Sequence, residues 1–155
     1  MLQVYSDCSF KDGQAVLAAI VVTGRTFIGS IIEPVECESA HIGEVLALER
    51  GLQLAANAFR NTQAISCYCD NESAVKKLQY MKKFDTANFT GDGYDAVMRI
   101  REIMKKHNVS FYYIRGHKTS RDAHVVCDFS SRILLTRILK NAVCSDCAGL
   151  EHSLQ

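Results

Sequence analysis

A chain of 155 residues, 48% hydrophobic and 23% charged, can bury the core of one globular domain and is too apolar to be a disordered polyelectrolyte. Eighteen Lys and Arg stand against 17 Asp and Glu, so the formal net charge of +1 excludes a bulk electrostatic pull on polyanions, and any nucleic-acid binding has to come from local patches.

The first third reads as an antiparallel meander. Leu2 to Ser9, Ala15 to Val22 and Thr26 to Ile32 are rich in β-branched and aromatic residues, and the turn-forming Lys11-Asp12-Gly13 and Thr23-Gly24-Arg25 separate them. Pro34, which has no amide hydrogen to give a ladder, is expected to stop the third strand. Ser39 to Arg60 is the clearest helix. With about 100° per residue, Ala40, Ala47, Leu48, Gly51, Ala55 and Ala58 share a small, apolar face with Glu44, while Glu49, Arg50, Gln53, Asn57 and Arg60 fall on the other side. Glu44 is therefore expected in a buried stripe, the alternative being a stem laid along the surface with its carboxylate in water.

Ala64 to Tyr68 is a short apolar strand running into Asp70, and Asn71-Glu72-Ser73-Ala74-Val75 resembles a helix start; Asp70 reads either as a strand-end acid or as a helix N-cap. Glu72 to Lys83 is expected to be helical, Phe84 to Gly93 a loop, Tyr94 to His107 a helix with Val97, Ile100, Ile103 and Met104 on one face, and Val109 to Ile114 a strand. Ala123 to Lys140 is the last helix, with Val126, Phe129, Ile133, Leu134 and Ile138 in amphipathic spacing and Asp128 near its start, where the macrodipole alone would favour an acid. No repeat or linker divides the chain, so a single domain over residues 1–143 and a C-terminal tail over 144–155 are expected.

The cysteines number seven, and Cys67 and Cys69 lie two apart within an apolar run, a pattern of buried reduced thiols rather than of a disulfide framework. Cys144-Ser145-Asp146-Cys147 is a lone pair, too little for a structural zinc site. The opening Met-Leu-Gln-Val-Tyr-Ser-Asp has no basic stretch followed by a long apolar one, and no run approaches the ~18 apolar residues of a membrane span; a cytoplasmic, untargeted protein is expected. Lys76, Lys77, Lys82 and Lys83, with Lys105 and Lys106, read either as solvated helix faces or as a phosphate track with steep salt dependence.

Four acids carry the chemistry. Asp7 and Asp70 lie in or at the end of apolar strand-like runs, and Glu44 and Asp128 fall on helices. Burying each as a charge is costly without a counter-ion, and a pair of divalent cations would supply one, which points to a two-metal phosphodiesterase.

With Asp7 on the first strand, Glu44 on the first helix, Asp70 after the fourth strand, and Arg115-Gly116-His117 shortly before Cys127-Asp128-Phe129-Ser130-Ser131-Arg132, the chain resembles a ribonuclease H of type 1 from about Leu2 to Leu139. The resemblance implies an α/β RNase H-like fold, a five-stranded mixed sheet in the order 3-2-1-4-5 flanked by helices, with the four acids converging at one edge. It further implies a metal-dependent endonuclease that hydrolyses the RNA strand of an RNA–DNA hybrid, leaving 5′-phosphate and 3′-hydroxyl ends. Its cofactors would be two Mg²⁺ ions, or Mn²⁺, the ions ~4 Å apart and held by Asp7, Glu44, Asp70 and Asp128. Asp7 would bridge both ions, Glu44 and Asp70 would hold the one that activates water, and Asp128 would hold the other. His117, in a glycine-containing loop, would assist proton transfer or product release as a catalytic residue without holding metal, and His41 and His124 are taken as structural.

The chain departs from that family in four places, one of them the glycine-rich turn that normally follows the first aspartate, shortened here to Phe10-Lys11-Asp12-Gly13. The usual Asp-Gly-Ser is Asp7-Cys8-Ser9, Ser39-Ala40-His41 stands where polar Thr or Asn residues often precede the glutamate, and the tryptophan-bearing basic protrusion of some members is absent, there being no Trp. Two other functions stay open: a DNA nuclease of the same fold such as a junction resolvase, and a non-catalytic nucleic-acid or protein-binding module. A proofreading exonuclease would want Asp-x-Glu on the first strand, and the chain has Asp7-Cys8-Ser9.

Overall fold

The computed structural model describes residues 1–24, 26–59, 61–80 and 91–115. The expectations for the last helix, His117, His124, Asp128, Lys82, Lys83, the Cys144 and Cys147 pair and the tail fall outside these residues.

Three antiparallel strands open the chain: β1 (Leu2–Lys11), β2 (Gln14–Thr23) and β3 (Thr26–Glu36). Lys11 pairs with Gln14 across a two-residue connection in which Asp12 and Gly13 have φ of 52° and 79°. Two successive positive φ values are what a type I′ hairpin turn needs, and Asp-Gly is a sequence that adopts them cheaply. Pro34 does not end β3, contrary to the sequence expectation; it stands opposite Val16, and the strand runs on to Glu36. The reason is position. β3 is at the sheet edge, where part of the backbone has no neighbouring strand to bond and a missing amide hydrogen is tolerated.

The helix α1 (Ala40–Ala58) follows, capped by the Ser39 hydroxyl, which accepts the backbone N–H of Ile42 at 3.3 Å. Next come β4 (Ala64–Cys69), α2 (Glu72–Tyr80), α3 (Gly91–Lys106) and β5 (Asn108–Tyr113). α3 begins three residues before the expected Tyr94, with Asp92 in its first turn favouring the start. β4 pairs in parallel with β1 and with β5, so the five strands form one mixed sheet in the order β3-β2-β1-β4-β5.

The main core lies between this sheet and the helices, built from Leu2, Val4 and Leu17 of the sheet, Val45, Leu48 and Leu52 of α1, Leu78 of α2 and Ile100 of α3. On the opposite face Tyr5, Tyr68 and Tyr112 stack in sequence, with centroids 4.9 Å and 5.3 Å apart. The small-residue stripe of α1 is buried through Ala47, Leu48, Gly51 and Ala55, while Ala40 and Ala58 at its ends are exposed.

Glu49, expected on the outer side, is buried with 1% exposure. A helical wheel gives α1 one buried face, but α3 packs along its flank and brings Arg99 Nε to 3.0 Å from Glu49 Oε1, while Arg50 contacts Oε2. Arg50 also binds Glu33 of β3 at 3.0 Å, so charges tie β3, α1 and α3 together. Buried carboxylates persist where such partners are supplied.

α1 lies unusually close to the sheet at Gly51, where a Cβ would stand 2.6 Å from Val4 Cγ1 and 2.8 Å from Ala19 Cβ. The Ala19 methyl group is fixed to β2 and cannot rotate aside. Gly51→Ala should therefore lower the unfolding free energy by about 1–3 kcal/mol in urea melts, despite alanine's higher helix propensity. A variant as stable as the wild type would mean that the helix sits farther from the strands.

Candidate active site

The fold brings three of the four sequence-selected acids to one end of the sheet. The parallel β1–β4 register runs to Tyr5 opposite Tyr68, and two residues farther along the strands' paths lie Asp7 and Asp70. Ligand sites of α/β sheets gather at such carboxyl ends. Asp7 is buried at 5% exposure, and Asp70 is half-buried immediately after β4. Glu44 comes from the second turn of α1 and is buried at 7% exposure.

Asp70 is not the cap of α2. That role belongs to Asn71, whose Oδ1 accepts the Ala74 backbone N–H at 2.9 Å, leaving the Asp70 carboxylate out of the helix start. His41, taken as structural, lies half-buried with Nε2 3.4 Å from Lys77 Nζ; burial and then the Lys77 charge lower its pKa, against a hydrogen bond with Asn71. Of the lysines that read either as solvated helix faces or as a phosphate track, Lys76 pairs with Glu72 at 2.8 Å and Lys105 with Glu102, both as solvated ion pairs.

Electrostatically Glu44 is the centre of the group. Burial first, and then the charges of Asp7 and Asp70, hold its carboxyl well above the usual range; the Cys69 thiol and the Cys8 backbone N–H donate to it and offset part of that shift. The thiol contact is 3.5 Å, Sγ to Oε2. Among the described residues Glu44 has no Lys or Arg partner. A buried acid repelled by two neighbouring acids fits a bound cation, and oxygen donors suit Mg²⁺ or Mn²⁺. Ligand atoms of Glu44, Cys69 and Asp70 all lie within 4.8 Å of one another.

Sequence reasoning missed two thiols at this site. In the sequence Cys69 reads as a core thiol, although it stands directly before Asp70. Cys8 packs against Gly43, where a side chain would collide with its Sγ and stand 3.6 Å from that of Cys37. Burial, followed by the charge of Glu44, raises the Cys8 pKa. Gly43 thus admits a cysteine beside Asp7.

The RNase H family model matches residues 1–132. No curated protein matches the chain. Among solved structures, it is similar to the N-terminal RNase H domain of rv2228c from Mycobacterium tuberculosis, at 14% identity and a TM-score of 0.73 over 91% of this chain and 97% of that one. It is also similar to RNase H1 of the halophilic archaeon Halobacterium salinarum, at 18% identity and a TM-score of 0.67 over 88% and 98%. A third likeness is to LC11-RNase H1, solved in complex with an RNA/DNA hybrid, at 16% identity and a TM-score of 0.61 over 78% and 90%; that protein was isolated from compost by a metagenomic approach.

Glu44 makes stability depend on pH in a definite direction. Its folded-state pKa is raised above the ordinary 4.5, so the folded chain holds this proton more tightly, and the stabilisation present below pH 4.5 is lost as pH rises toward the folded value. In chelator-treated buffer Glu44→Gln should remove that loss: the variant should gain stability over the wild type at about pH 7 and show no gain at about pH 4. Urea melts at both pH values check this, and equal pH profiles for the two proteins would contradict it.

Proposed function

This chain belongs to the RNase H family, and we propose that it is a metal-dependent endoribonuclease that hydrolyses the RNA strand of RNA–DNA hybrids. The observation that carries the reading is Glu44, buried without a basic partner among the described residues and repelled by Asp7, within β1, and Asp70, directly after β4. The hybrid as substrate is supported by the complex formed by LC11-RNase H1.

Asp7, Glu44, Asp70 and Asp128 are the proposed ligands of two Mg²⁺ ions, with Mn²⁺ as the substitute; Asp128 and His117 enter through the family resemblance alone. Bound there, the ions supply Lewis-acid stabilisation of the attacking and leaving oxygens of an in-line displacement. The chain's own part is positional. The Cys8 backbone N–H and the Cys69 thiol hold the Glu44 carboxylate in one orientation. Asp70, half-buried, is the least enclosed of the three acids. His117 moves a proton at its imidazole or assists product departure. The products are a 5′-phosphate and a 3′-hydroxyl.

A gel assay with labelled hybrid, duplex RNA, duplex DNA and a four-way junction tests the reading. Only the RNA strand of the hybrid should be cut, with Mg²⁺ or Mn²⁺ and not after chelation, and Asp7→Asn or Asp70→Asn should abolish cleavage. Cutting of the junction in preference to the hybrid would move the protein to the resolvase reading.

His117→Ala should slow hybrid turnover, yet leave it measurable, by a factor within or below the ~10² to 10⁴ typical of general acid–base help. Metal should still raise the melting temperature of this variant by mass action. Loss of that thermal shift would make His117 a ligand.

A further inference from the structure

The site contains a donor that hard-ion chemistry does not call for. Cys69, the last residue of β4, is fully buried, with its Sγ 3.5 Å from Oε2 of Glu44 and within 4.8 Å of an Asp70 carboxylate oxygen. The sulfur also accepts the Asn71 backbone N–H at 3.4 Å, so a donor already faces the atom on which negative charge would collect. Mg²⁺ selects oxygen, whereas Zn²⁺ and Cd²⁺ accept thiolate readily.

Ligand atoms around a tetrahedral Zn²⁺ stand about 3.5 Å apart, so ligand atoms that lie within 4.8 Å of one another need to close by no more than about 1.3 Å, which rotation of the half-buried Asp70 can supply. Two carboxylates and a thiolate, with solvent in the fourth position, make a complete set for a four-coordinate ion.

We propose that Glu44, Cys69 and Asp70 form a site for a thiophilic divalent cation of the Zn²⁺ class, whose binding blocks the hard-ion site with which it shares two carboxylates. The metal–sulfur bond forms as the S–H bond breaks, the proton leaves to solvent, and no electron is transferred. The blocking half of the proposal rests on the hydrolase reading above, and the binding half stands apart from it.

The test is a Cd²⁺ titration of the full chain, followed by the thiolate-to-metal charge-transfer absorption in the ultraviolet. A Cys144→Ser/Cys147→Ser protein should keep the Cys69 signal. Loss of an outer-shell partner already costs about 10 to 100-fold in metal affinity, so Cys69→Ala, and Cys69→Ser as a second variant checked for folding by circular dichroism, should bind Cd²⁺ at least about tenfold more weakly and lose one equivalent of the band. Glu44→Gln should weaken the same band. An undiminished band in the Cys69 variants would overturn the site.

In hybrid cleavage, Zn²⁺ should inhibit the wild type in competition with Mg²⁺, and Cys69→Ser should need at least about tenfold more Zn²⁺ for the same inhibition. Equal inhibition of both would overturn the thiol site while leaving the hydrolase reading intact. A Cys69-dependent Cd²⁺ band in a protein that cuts no hybrid would sink the hydrolase reading and uphold the binding half.

Discussion

The close seating of α1 on β1 and β2 is the constraint on which the rest depends. Gly51 lets the helix come down on Val4 and Ala19, and Gly43, two turns earlier, lets it pass the Cys8 thiol. A helix held this near the sheet carries Glu44 into the interior beside Asp7 of β1 and Asp70 just past β4. The acids of three segments far apart in sequence then share one electrostatic environment. Each glycine gives up helix propensity of about 1 kcal/mol relative to alanine. The packing of Leu48, Leu52 and Val45 against the sheet offsets that loss.

Two buried glutamates on this one helix show how partners decide a charge's role. Glu49 has its counter-ions within the protein, Arg50 beside it and Arg99 across from α3. It is a joint between helices, satisfied without help from solution. Glu44, five residues earlier, faces acids and a thiol instead. The Cys69 thiol and the Cys8 backbone N–H offset only part of the cost of its burial, and a proton or a bound cation would relieve the rest.

Much of this was legible in the sequence because it is local. Period-two runs and Asp12-Gly13 define the β1–β2 hairpin, and the small residues around Glu44 mark the helix face that meets the sheet. The failures share a different cause. The burial of Glu49 depends on Arg99, from a helix that no wheel drawn on α1 contains, and the tolerance of Pro34 depends on β3 being an edge, a property of the whole sheet. Asp70 and Asn71 are both good capping residues, so composition could not choose between them; the hydrogen bond from Ala74 to Asn71 does. Cys69 was hidden by its own chemistry, because a buried thiol in a strand is indistinguishable from any small core residue until its neighbour is known to be a carboxylate.

The path of β3 through Pro34 also bears on how molecules of this protein meet one another. An open sheet edge is a template on which a strand from a second chain can add, and aggregation often begins there. Here β3 carries at Pro34 a tertiary amide that has no hydrogen to donate, with Glu33 and Glu36 on either side of it. An incoming strand would meet a gap in the ladder flanked by negative charge, so the sheet is guarded against growing between molecules at β3.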